Sequence, residues 1–240
     1  MTGHLLPITT AAEERDRRAD IAVLPVGSYE QHGAFLPLAT DTVIAVTVAQ
    51  AVGAVHPVLA LPPVTISCSH EHAAWLGTVS ISAATLHAVV TDIAESLRRS
   101  GIEKLVLVSG HGGNYVLANV VQEASARGQS MALFPTEADW ATARADGGVE
   151  TGPDTDMHAG ELETSLLLHA HPDLVRPDYA EHDHISAGRD RMLTLGLSAY
   201  TESGVVGHPS LASADKGRGA LASLVASFGD VLAALARSSR

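Results

Sequence analysis

The stretch Lys104-Leu105-Val106-Leu107-Val108-Ser109, running straight into Gly110-His111-Gly112-Gly113-Asn114, constrains the fold of this chain more than any other segment. An apolar run of this length, with β-branched residues alternating with Leu, reads as a strand buried on both faces. The glycines end it, and the following YVLANVVQEASARG reads as a helix closing at Gly128. Strand, glycine loop and helix form half of a βαβ unit, so the chain must build a parallel sheet covered by helices.

The same alternation runs through the rest of the sequence. Ile21 to Gly27 reads as a strand, and the apolar spacing after Thr40 predicts a helix over about 41–53 with Thr40 or Asp41 at its start. A second strand is expected within 56–66, ended by Pro62 and Pro63. An amphipathic helix follows at 83–99, stopped by Ser100-Gly101, and a further strand at 131–136. Residues 140–157, polar and rich in Gly and Asp, read as a surface loop, with helices at 160–170 and 212–236 beyond it. The expected fold class is α/β, with a mainly parallel central sheet and helices on both faces, in a single domain over 1–240.

Composition narrows the function. The formal net charge of −12 gives no basic footprint for nucleic acid or an anionic membrane surface, so small molecules or peptides are the expected partners. The single cysteine, Cys68, can form no intramolecular disulfide and suits a reducing cytoplasm. The first twenty residues lack the apolar core of a signal peptide, and no window is read as approaching the roughly 20 apolar residues of a membrane span. Thirteen histidines against three Phe and four Tyr make imidazole the outlier, and the informative ones are those that cluster with carboxylates and glycines.

Three segments do so, each where a strand gives way to a loop or a helix begins. In Gly27-Ser28-Tyr29-Glu30-Gln31-His32-Gly33, residues two apart in extended chain share a face, so Glu30 and His32 can aim at one centre. Asp41 can approach the same centre from its helix start. The second segment lifts His111 above a strand end, and the third is His158-Ala159-Gly160-Glu161-Leu162-Glu163-Thr164-Ser165. Carboxylate and imidazole donors without thiolate suit Zn²⁺, Mn²⁺ or Fe²⁺, and two cations bridged by Asp41 would leave room for a reactive water. The glycine loop at 110–113 fits neither GxGxxG nor GxxxxGK[ST], so a phosphate cradle is excluded.

GSYEQHGAFLPLATD, then SGHGGN, then HAGELETS, with EH and GTVSI between, resemble the creatininase family in order, spacing and content over roughly residues 21 to 218. The resemblance implies an α/β/α three-layer sandwich, a dinuclear metal centre, amide hydrolysis without a serine or cysteine nucleophile, and a ring-like, hexamer-like homo-oligomer. Its members include creatinine amidohydrolases, formamidopyrimidine-type deformylases and peptidases that trim a ribosomal precursor of the mycofactocin type. By position, Glu30, His32, Asp41 and His111 look like metal ligands. The chain departs from the creatinine-hydrolysing members at Gly113, where they carry a further ligand carboxylate. Glu163 is the first replacement and Glu161 the alternative, as a ligand or as a catalytic group. His158 is the expected general acid/base, because imidazole titrates near neutral pH. Ser69, Glu71, His72, Trp75 and Asn114 are expected to line the substrate pocket. A catalytically inactive, metal-stabilised binding protein is the rival reading, which the presence of His158 disfavours.

Overall fold

Strand β1 (Ile21–Val26) stands at the centre of the architecture in a computed structural model that describes residues 4–186 and 188–238. Residues 1–3, 187 and 239–240 of the expected 1–240 domain lie outside the described residues. β1 pairs in parallel with β2 (Leu59–Ala60) on one side and with β3 (Lys104–Ser109) on the other, and β4 (Ser130–Phe134) continues from β3. The order is therefore β2-β1-β3-β4, every pairing parallel. After β2 the chain crosses to the other side of β1, so the strand order reverses there. Crevices at such reversals, beyond the carboxyl ends of the strands, are where α/β sheets bind ligands.

Strand residues alternate between two apolar layers, as the pleat requires. Val23, Val106, Val108 and Phe134 enter one core with α2 (Thr40–Val55), α5 (Glu137–Gly147), α6 (Glu161–Ala170) and α8 (Ala214–Ser238). Ala22, Leu24, Val26, Leu105 and Leu107 enter the other, beneath α3 (Ala83–Arg99) and α4 (Val116–Ala126). The result is a three-layer α/β/α sandwich.

Several elements depart from the sequence reading. The second strand shrinks to two residues, since Pro62 and Pro63 leave only an isolated bridge between Val26 and Val64 beyond it. The expected loop 140–157 begins inside a helix: Thr136 caps α5 in a capping box with Asp139, and Gly148 ends it at φ 69°. A short α1 (Ala11–Arg17), capped by Thr10, precedes the first strand and buries nothing. α7 (Met192–Leu195) is a single turn at the surface. Against the expected absence of any such window, α8 is long and apolar enough, by length and composition alone, to cross a bilayer. Ala220, Leu221, Leu224 and Phe228 on it pack into the core against α5 and α6, which accounts for an apolar stripe.

Candidate metal centre

β1 and β3 end level, Val26 opposite Ser109, so the loops that start at Gly27 and Gly110 leave the sheet side by side. The N-terminus of α2 packs directly over both. A side chain at Gly27 would strike the Thr42 backbone, and one at Gly110 would strike the Asp41 carbonyl, so only glycine lets the helix approach this closely. That approach delivers Asp41 between the two loops.

The buried Asp41 carboxylate divides its oxygens. Oδ1 stands 3.1 Å from His32 Nε2 and Oδ2 3.1 Å from His111 Nδ1, with the Ser28 hydroxyl donating to Oδ2 at 2.5 Å. Around one oxygen gather Glu30, Asp41 and His111; around the other, His32, Asp41 and Glu163. In each trio the donor atoms lie within 4.8 Å of one another. Glu163 approaches His32 at 4.0 Å from α6, its Oε2 held by the Ala159 N–H at 2.6 Å. Ala159 holds a left-handed backbone, φ 51°, immediately after His158. Strain of this kind collects at functional sites.

Ring orientation follows from what lies outside the cluster. His32 Nδ1 faces the Glu30 carbonyl at 3.0 Å, His111 Nε2 the Cys68 carbonyl at 2.9 Å, and His158 Nε2 the Gln31 carbonyl at 2.6 Å. A carbonyl only accepts, so each ring spends one N–H outside and turns its other nitrogen inward, the placement that ligating imidazoles use. His72 is set the other way. The Gly33 N–H donates to Gln31 Oε1, which turns Gln31 Nε2 toward the Gly204 carbonyl and His72 Nδ1, each at 3.0 Å. His72 Nδ1 therefore accepts, and its Nε2–H faces Glu30 Oε1 at 3.2 Å.

The electrostatics call for added positive charge. Burial, then the Asp41 charge, push the Glu30 carboxyl up to about 8. Burial raises Glu163 to about 7. Burial opposes a charge on His32, yet Asp41, Glu163 and Glu30 together drive it up to about 9. Burial, then His32 and His72, hold His158 well below its ordinary value, and burial takes His72 down to about 3. Both Glu30 oxygens are buried, and Oε1 faces only imidazole nitrogens, the nearest those of His72 and His111, each at 3.2 Å. A buried carboxylate so poorly supplied with donors is costly unless a cation meets it, so this donor set fits divalent metal.

The remaining expected residues fall into two groups. Ser69 and Glu71 border the centre: the Ser69 hydroxyl is buried and unpartnered, and Glu71 Oε1 lies 3.4 Å behind His111 Nε2. Trp75 sits at the rim, its ring 6.2 Å from that of His72 and its Nε1 donating to the Glu202 carbonyl. Asn114, expected to touch substrate, instead spends its amide on the Gly27 carbonyl and the Cys68 N–H, tying two loops together. Glu161, expected as a catalytic group or ligand, points away from the centre. Its carboxylate takes the Lys216 ammonium at 2.5 Å and the Glu150 and Thr151 N–H groups. Two positions apart on a helix are about 200° apart around it, so Glu161 and Glu163 cannot face one centre. The residues that sequence reasoning missed are Gln31, visible only as the middle of EQH, and Asp156, which accepts the Glu161 and Leu162 N–H groups and pairs with Arg144.

A parallel α/β sheet that gathers imidazoles and carboxylates where its strand order reverses is the frame of a metal-dependent hydrolase. A family model for creatininases, described as creatinine amidohydrolase, matches residues 8–232. The chain is 33% identical over 226 residues to a mycofactocin precursor peptide peptidase of Mycolicibacterium smegmatis, covering 90% of this chain and 86% of that protein. It superposes on a crystal structure of creatinine amidohydrolase (creatininase) with a TM-score of 0.80 at 26% identity, 95% of each chain being covered. A creatininase variant of Zn-Zn type gives 0.78 at 25% identity, over 94% of this chain and 95% of that one. The chain belongs to the creatininase family, and is thus a metal-dependent amidohydrolase that uses no serine or cysteine nucleophile.

Proposed function

We propose that this protein hydrolyses an amide C–N bond at two divalent cations, Zn, Mn or Fe, held by Glu30, Asp41 and His111 on one side and by His32, Asp41 and Glu163 on the other. The observation that carries it is the Asp41 carboxylate, one oxygen toward each trio. When bound, such cations supply Lewis acidity and a water acidified toward neutral pH.

The chain's own groups do the rest. His158 presents Nδ1 3.8 Å from Glu30 Oε1, its other nitrogen fixed on Gln31. With Nε2–H spent on the Gln31 carbonyl, Nδ1 keeps the lone pair that takes a proton from the attacking water and passes it to the leaving nitrogen. His72 Nε2–H steadies the Glu30 carboxylate. Addition of water across the C–N bond yields a carboxylic acid and an amine.

Among substrates, a peptide is favoured over a small cyclic amide or formamide, because the peptidase relative matches nearly the full chain at 33% identity. The proposal extends to a ring-like homo-oligomer in the cytoplasm; Leu76, 99% exposed beside Trp75, is apolar surface that a subunit contact would cover, and the single cysteine suits a reducing compartment. Elemental analysis of wild type and Asp41→Ala tests the centre. Wild type should carry close to two equivalents and the variant far less; equal, sub-stoichiometric metal in both would remove the bridge.

A further inference from the structure

Glu71 is a largely buried carboxylate with no lysine or arginine of its own. Its side chain is 11% exposed, and among the described residues its one ion pair is with His111, Oε1 to Nε2 at 3.4 Å. Buried charges are ordinarily matched. Glu161 and Asp156 have Lys216 and Arg144, whereas Glu71 has an imidazole whose other nitrogen faces Asp41.

The local chain brings the carboxylate to that ring. Glu71 lies in a 3-10 turn, His70–His72, and the segment leading into it is held at Cys68 by the Asn114 side chain and at Ser69 by the Ser80 hydroxyl. The same segment gives His111 Nε2 its nearer acceptor, the Cys68 carbonyl at 2.9 Å. One neutral acceptor already orients the ring; what Glu71 adds is negative charge. A Cβ at position 113 would overlap both Glu71 Oε1 and His111 Nε2, so the carboxylate reaches the ring only because Gly113 has no side chain.

The turn meets the centre at a second point, where His72 Nε2 faces Glu30 Oε1 at 3.2 Å. Glu30 and His111 belong to one trio with Asp41. Among the described residues, neither Glu71 nor His72 makes a hydrogen bond or ion pair with His32 or Glu163 of the other trio. A carboxylate behind a ligating imidazole makes the ring a stronger donor to a cation on its inner nitrogen.

We propose that Glu71 is a positioning residue acting through His111: its carboxylate takes the space left at position 113, stands behind the ring, and tightens the hold of Glu30, Asp41 and His111 on their cation alone. It rests on the two-cation reading of the centre and adds a residue that supports one of the two positions.

The test titrates metal-free full-length protein with Zn²⁺ against a chromophoric chelator. Glu71→Gln keeps the shape and removes the charge. One of the two binding steps should weaken about 10–100-fold while the other holds, with the melting temperature of the metal-free protein close to wild type. Glu71→Asp, which keeps the charge, should recover part of the loss. In a His32→Ala background, which leaves the trio of His111, Glu71→Gln should weaken the remaining step by the same factor. In a His111→Ala background it should change nothing. Equal weakening of both steps, or of both backgrounds, would overturn the proposal, because a general structural or field effect would then suffice. So would unchanged affinities in Glu71→Gln. Should the histidine variants hold no Zn²⁺, the two-step titration of Glu71→Gln against wild type still decides. Wild type that binds no Zn²⁺ would instead remove the reading of the centre.

Discussion

Glu161 and Glu163 stand two residues apart on α6, and their carboxylates live in opposite surroundings. Burial works against the charge on Glu161, yet the Lys216 ammonium and the hydrogen bonds from residues 150 and 151 hold its carboxyl below the usual range. Beside it, Asp156 is matched by Arg144 at 2.8 Å and by two helix N–H groups. Glu163 has one N–H from Ala159, faces His32, and is pushed up to about 7. A buried carboxylate that carries its own cation and a full set of donors is finished and serves structure. One facing other carboxylates across imidazoles requires charge from outside the chain.

Substitutions can break this contrast or sharpen it. The largest effect is expected at Asp41→Ala, with kcat/KM falling about a thousandfold, near 4 kcal/mol of barrier, together with loss of bound metal. Steady-state kinetics on the best amide found and elemental analysis check both. Asp156→Ala leaves Arg144 and two helix N–H groups without their partner in a buried site; urea denaturation should show about 3–5 kcal/mol lost. Metal dependence should fall on one side only. Stripping cations with a chelator should lower wild-type stability by about 2–3 kcal/mol for each bound cation whose free concentration exceeds its Kd a hundredfold. Glu163→Gln should shrink that increment, and Lys216→Met should leave it intact. Equal increments in all three would erase the distinction between the clusters. Lys216→Met itself leaves Glu161 without its cation and should cost about 1–3 kcal/mol, read from chemical denaturation, with metal content unchanged. The smallest effect belongs to Ala159→Gly. Relief of the left-handed backbone at φ 51° should offset the glycine entropy and raise stability by up to about 1 kcal/mol, measured by calorimetry.

Legibility in the sequence followed the range of the interaction. β1, β3, α3 and α4 were readable because burial on one or two faces imposes a period on ten or so neighbouring residues. α5 was not, although the capping box at Thr136 and Asp139 was available, because the Gly and Asp content of the segment beyond Ala145 dominated the reading. Glu30, His32, Asp41 and His111 could be singled out as side chains at strand ends and a helix start, and the structure brings them within a few ångströms. Asn114 and Glu161 stood in equally suggestive motifs and turned out to be engaged elsewhere. A motif fixes which group is present, and the neighbours across the fold fix what that group has left to offer.

By itself the sequence determined the parallel α/β frame and which residue types crowd its strand ends, since apolar periodicity and glycine placement are local properties of the chain. Only the tertiary structure decided that Glu163 enters the centre while Glu161 leaves it, and that Gln31 turns His72 into a donor. It also decided that the space a side chain at Gly113 would need is filled by the Glu71 carboxylate. Each of those outcomes depends on an atom from a distant segment arriving within about 3 Å, the range over which hydrogen bonds act.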